Sequence, residues 1–162
     1  MRGSRYENGF TFVEVLIAII LVALAIASLV AANSSFTRAN AAGTDLSTAE
    51  FLIEQIKELT TLLTVVDPET ETDVFGPEEA GLADYDDLDD FDAASFSPPI
   101  SSNRVVLSNF AGFGQQITVE NVSASDFEQV VFDHSSSFVR VTVSVLLNSR
   151  EISSASWIRA RY

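Results

Sequence analysis

The chain has 162 residues, 47% of them hydrophobic, no cysteine, and a net charge of −14. That length leaves room for one modest domain beyond an anchor, and the missing cysteines exclude disulfides and thiol nucleophiles. The acidic balance argues against a nucleic-acid binder, which needs clustered Lys and Arg to neutralise phosphates. Beyond residue 9 the seven basic residues are scattered, and only Arg159 and Arg161 lie close together.

The N-terminus carries Arg2 and Arg5, then Gly9-Phe10-Thr11-Phe12-Val13-Glu14, then an uncharged apolar run from Val15 to Ala32. Eighteen such residues are enough to span a bilayer as a helix. A carboxylate at the mouth of such a span costs free energy unless something pairs with it, which makes Glu14 a functional candidate. The basic leader predicts a cytoplasmic N-terminus, with everything beyond Ala32 on the outer side of the membrane. A secretory signal peptide is the competing reading, with Val30-Ala31-Ala32 as a small-residue cleavage site. Against it, the apolar run exceeds the ~7–15 residues of an h-region and begins with Glu14.

The Gly-Phe-Thr-Phe-Val-Glu run and its apolar continuation resemble the processing site of type IV prepilins and type II secretion pseudopilins, the class III signal family. The resemblance covers roughly the first third of the chain. It implies that a prepilin peptidase cuts between Gly9 and Phe10 and methylates the new N-terminus at Phe10. It also implies partners: the peptidase, other pilin or pseudopilin subunits, and an inner-membrane assembly platform. The family glutamate, fifth in the mature chain, maps to Glu14. In a filament core Glu14 would be an isolated buried charge, and the Phe10 amine of a neighbouring subunit would neutralise it and fix axial register. The helix lacks the proline of many major pilins, and the chain lacks the cysteines of their C-terminal disulfide. Both departures favour a minor pilin or a pseudopilin.

Beyond the span, Leu46, Ala49, Leu52, Ile53, Ile56, Leu59 and Leu63 recur at three- and four-residue steps and predict an amphipathic helix over residues 34–66. Residues 33–44 are rich in poor helix formers, with Gly43 the weakest, and a bend or soft spot is expected there. Thr44, or Ser47 with Glu50, could restart the helix as a cap. Pro68 ends the pattern.

Residues 67–102 read as an acidic loop. Residues 67–92 alone hold twelve of the 23 acidic residues and no basic one. Asp86, Asp87, Asp89 and Asp90 are candidate calcium ligands, because hard cations take several carboxylate oxygens, although the spacing does not match an EF-hand. The alternative is a solvated acidic surface. Tyr85, Leu88 and Phe91 interrupt the run and predict partial docking on a core. The Asp-Asp-Leu-Asp-Asp-Phe run followed by Ser97-Pro98-Pro99 is also similar to a segment of minor pilins of the mannose-sensitive haemagglutinin type.

Residues 103–162 read as an antiparallel sheet. Arg104–Ser108, Gln116–Val122 and Val130–Phe132 are short strand candidates. Phe138–Leu147 alternates valines with Arg140, Thr142 and Ser144, and Asn148-Ser149 would turn it into a hairpin with Ile152–Arg159. Enzyme chemistry finds no foothold. His134 is the sole histidine and neighbouring Asp133 would point to the opposite face of a strand, while Gly112-Phe113-Gly114 is a turn and no phosphate loop. The expectation is an α+β, type IV pilin-like chain: leader 1–9, membrane or filament-core helix 10–33, amphipathic helix 34–66, acidic loop 67–102 and sheet domain 103–162. The open alternatives are a secretion pseudopilin and a membrane-anchored or secreted binding protein outside any filament.

Overall fold

A computed structural model describes residues 9–65, 75–77, 79 and 81–161. The leader through Asn8 and parts of the acidic loop lie outside the described residues. One helix, α1 (Phe12–Thr60), is followed by strands β1 (Ser95–Phe96), β2 (Phe113–Ser123), β3 (Asp126–Val130), β4 (Phe138–Leu147) and β5 (Arg150–Ala160). The chain divides into two units between Thr44 and Asp45.

In the first unit α1 is apolar and unburied. Its side chains from Phe12 to Phe36 are exposed, including every large hydrophobic one. The helix is continuous through residues 33–44, and Gly43 does not break it. The hydroxyls of Ser28, Ser35, Thr37 and Thr44 each donate to the carbonyl four residues back, at 2.8–3.1 Å. Bonded this way, they stop competing for backbone groups outside the helix. Thr44 and Ser47 are therefore interior helical positions, not the caps of a restarted helix.

The second unit has an α+β core, as the sequence predicts. The apolar face of α1 supplies Ala49, Leu52, Ile53 and Ile56, which pack against Ile117 and Val119 of β2 and Val139, Val141, Val143 and Val145 of β4. Fully burying side chains such as Leu52 or Ile56 stabilises by about 1.5–3 kcal/mol each. The helix ends at Thr60, short of the expected residue 66. There Thr60 Oγ1 donates to the Ile56 carbonyl and Thr61 Oγ1 to that of Lys57. Arg159 of β5 completes the stop, its guanidinium donating to the carbonyls of Thr60 (2.7 Å) and Leu63 (2.9 Å). The Thr60 carbonyl, at the last residue of α1, also accepts from Leu63 N–H at 3.3 Å, and Arg159 adds a charged donor to it.

The sheet is antiparallel, ordered β1-β2-β4-β5, with β3 paired to the far end of β2 on the edge that β1 also uses. The long β2–β4 ladder places Glu120 opposite Arg140, and the two form an ion pair of 2.8 Å. The predicted β4–β5 hairpin is present. Asn148 (φ 51°) and Ser149 (φ 67°) both lie in the left-handed region, the requirement of a two-residue type I′ turn. Ile152 is an extra residue on β5 that produces a bulge opposite Val145 and Leu146.

Two expected strands differ. Arg104–Ser108 forms none, since Arg104 has φ 62° and only Val106 makes an isolated bridge, to Ile100. The candidate at Val130–Phe132 lies earlier, as β3, and Phe132 is 90% exposed.

Gln115 joins the layers. It is fully buried, accepts from Ile100 N–H at 2.8 Å, and donates to the carbonyls of Leu52 (2.9 Å) and Ile100 (3.2 Å). One side chain thereby ties helix α1, the loop after Pro99 and strand β2.

Candidate functional site

Gly9 and Phe10 precede the first turn of α1 and are exposed. Thr11 and Glu14 close that turn reciprocally: Glu14 N–H donates to Thr11 Oγ1 at 3.3 Å, and Thr11 N–H to Glu14 Oε2 at 3.4 Å. This is a Thr-x-x-Glu capping box, which satisfies two N–H groups that a helix start leaves orphaned. The sequence carried this signal, and reading Glu14 only as a charge missed it. A shallow groove runs along the same face, lined by Phe10, Glu14, Ala18, Val22 and Ile26 at four-residue steps, with Val15, Ile19 and Ala23 beside them. Glu14 is the sole ionisable group in it. The helix is long and apolar enough to cross a membrane.

The acidic loop holds the second constellation. Leu88 and Phe91 are fully buried in the core, and Tyr85 stands edge-on to Phe91 with ring centroids 5.2 Å apart. These contacts hold the intervening aspartates against the domain. Of the four candidate ligands, Asp86 and Asp90 converge, and Glu79 joins them; one carboxylate oxygen from each lies within 4.8 Å of the others. Asp87 and Asp89 are buried but stand outside this group. Asp87 has a structural bond instead, its Oδ1 accepting from Asp90 N–H at 3.1 Å. Asp90 Oδ2 accepts from the N–H groups of Asp86 (2.9 Å) and Asp87 (3.4 Å).

Two further oxygens of the group, Glu79 Oε2 and Asp90 Oδ1, are buried without a donor. Two ionised carboxylates cannot donate to each other. Protonating Glu79 lets it donate to Asp90, and this bond, followed by burial and the charges of Asp90 and Asp86, pushes Glu79 from 4.5 up to about 7. Burial, with the charges of Asp90 and Glu79, also pushes the Tyr85 phenol up.

Arg104 secures the segment. Its guanidinium donates to the carbonyls of Leu82 (3.1 Å), Ala83 (2.8 Å) and Tyr85. Neither Arg104 nor Glu79 stood out in the sequence, because their role depends on which distant residues they meet. His134 forms no triad. Its ring packs edge-on to Phe75, and Asp133 Oδ2 accepts from the Phe75 N–H.

The family described as the prokaryotic N-terminal methylation motif matches residues 4–32, the stretch that contains Gly9, Phe10, Glu14 and most of the apolar run. No curated protein and no solved structure matches the chain. The match falls on the start of the exposed apolar helix, and the chain therefore carries a prokaryotic N-terminal methylation motif at the head of a helix long and apolar enough to cross a membrane.

Proposed function

We propose that the chain is a minor pilin or pseudopilin, cut by prepilin peptidase between Gly9 and Phe10, methylated at Phe10, and incorporated into a type IV pilus or a type II secretion pseudopilus. The observation that carries this reading is the motif at residues 4–32 falling on an exposed apolar helix whose first turn holds Glu14. Before assembly the helix anchors the subunit in the inner membrane, with the C-terminal domain periplasmic. In the filament its apolar face packs against the same helix of neighbouring subunits. Glu14 then meets a neighbour's Phe10 amine, and the pair sets register. The partners are prepilin peptidase, other pilin-class subunits and the assembly platform, and the role is assembly, with no catalysis of its own.

Mass spectrometry of the mature protein tests the processing step: methyl-Phe10 is expected as the first residue. Replacing Gly9 by a bulky residue should leave the leader attached. A mature chain that starts beyond Ala32 would mark a secreted protein and refute the proposal.

A further inference from the structure

We propose that the open edge of β5 docks an extended segment of another protein, one that carries Lys or Arg at alternate positions. This surface belongs to the sheet domain and does not depend on the filament role of the N-terminal helix.

The two edges of the sheet are unequal. On the β2 side the ladder is covered in pieces, with β1 and β3 paired to different parts of the strand. Between them Ile117 N–H donates to the Ala94 carbonyl at 2.9 Å, and Val119 N–H to Asp92 Oδ1 at 2.8 Å. On the other side, among the described residues, β5 pairs with β4 alone. Just past its end Arg161 N–H donates to the Ser137 carbonyl at 2.7 Å, so beyond the bulge the odd-numbered residues of β5 bond inward to β4. The antiparallel alternation then turns the N–H and C=O groups of Ser154, Ser156 and Ile158 outward, and all three residues are exposed. Natural sheets blunt such an edge with charge, proline or a bulge. From Ile152 to Ile158 the strand has no charged residue, no proline and no glycine, and its bulge sits at one end.

Charge selects the occupant. Alongside this edge α1 and β5 leave a groove of about 390 Å³, lined by Ile53, Ser153, Ser154 and Ala155 and by the carboxylates of Glu50 and Glu54. Ser153 and Ala155 stand opposite the buried Val145 and Val143, on the face that meets the helix. A strand added beside them continues that face, so every second side chain of the newcomer lies at the groove. A Lys or Arg there lays its apolar stem along Ile53 and Ala155 and brings its charge to the two carboxylates. Among the described residues Glu50 has no ion-pair partner, and Glu54 has only Lys57 at 3.2 Å, an exposed contact of little worth. The net charge of −14 attracts a cationic segment and opposes the pairing of β5 with a second copy of the chain. The added ladder gives affinity, and the alternate side chains give specificity.

The probes are a synthetic peptide alternating lysine with threonine and a twin with glutamate in place of lysine, each added to the full chain in detergent. At saturation the lysine peptide should slow hydrogen exchange at Ser154, Ser156 and Ile158 by about tenfold or more, and the glutamate twin should not. Ser156→Pro removes an outward N–H and leaves the β4 ladder intact, so it should abolish binding while the thermal melt persists. Glu50→Gln combined with Glu54→Gln alters only exposed helix positions, should fold, and should weaken binding about five- to tenfold. Absence of binding would overturn the proposal. Binding that leaves β5 unprotected, or that survives Ser156→Pro, would also overturn it, since either indicates general attraction to an acidic chain. Protection of β5 that grows with protein concentration in the absence of peptide would overturn it too, by making a second copy the occupant.

Discussion

Replacing Gln115 by Met tests what holds the sheet domain on its helix. Methionine has nearly the length and volume of glutamine, so the substitution opens no large cavity and isolates the polar term. It removes one acceptor and two donations: Ile100 N–H loses the Gln115 carbonyl at 2.8 Å, and the carbonyls of Leu52 and Ile100 lose the amide at 2.9 and 3.2 Å. Ile100 is 2% exposed, so water cannot replace the lost acceptor. A buried N–H left unsatisfied costs about 1–3 kcal/mol, and each of the two weaker bonds contributes about 0.5–1.5 kcal/mol net. The methionine regains part of this by being easier to desolvate, which leaves a loss of about 2–4 kcal/mol. Urea unfolding of the full chain in detergent, followed by fluorescence of Trp157, the only tryptophan, would measure it. Gln116→Met is the control, because Gln116 is exposed on the other face of β2 and should change stability by no more than about 0.5 kcal/mol. If Gln115→Met costs less than about 1 kcal/mol, the cross-link is not what joins the layers, and the reasoning fails.

Arg159→Met should cost about 1–2 kcal/mol and raise hydrogen exchange around residues 60–64, because the carbonyl that ends α1 at Thr60 and that of Leu63 beyond it lose their charged donor. Unchanged exchange there would refute the capping role. Ser149→Gly should stabilise by about 0.5 kcal/mol in the same urea assay, since Ser149 adopts φ 67° in a turn that glycine enters without strain. In chelator, stability should fall as pH rises from about 4.5 to 7. Across that window the folded chain keeps Glu79 protonated beside Asp90, Asp86 and the raised Tyr85, while the unfolded chain releases the proton. Melting curves of Glu79→Gln should lack this component of the slope, and identical pH profiles for the two proteins would refute the assignment.

The features legible in the sequence are those that repeat locally. The three- and four-residue spacing of Ala49, Leu52, Ile53 and Ile56 marked the buried face of α1, and the alternating valines of β4 marked the centre of the sheet. The hydrophobic effect imposes both periods on neighbouring residues, so a short window suffices to see them. The parts that escaped depend on partners far along the chain. Arg159 meets Thr60 across 99 positions, Gln115 meets Leu52 across 63, and Arg104 reaches back to the acidic loop. Within that loop the sequence singled out a run of consecutive aspartates. Packing of Leu88 and Phe91 then turned Asp90 toward Glu79 and left Asp87 and Asp89 outside the group. Consecutive acidic residues share a charge density, but only the fold decides which of them share a site.

The capping box changes how Glu14 should be tested. One Thr11 N–H at 3.4 Å is a long bond and leaves the carboxylate charge intact, so it cannot by itself stabilise Glu14 in an apolar core. A carboxylate has about four acceptor sites, and the bond to Oε2 leaves Oε1 for a neighbouring amine. In the proposed filament the box would orient the group that pairs with the neighbour, so that the two roles would add instead of competing. They separate under substitution. Glu14→Gln keeps an acceptor for Thr11 N–H and removes the charge, whereas Glu14→Ala removes both. If charge pairing drives incorporation, both variants should be cleaved after Gly9 and both should fail to enter filaments. If the cap alone matters, Glu14→Gln should assemble as the wild type does, and the pairing argument falls.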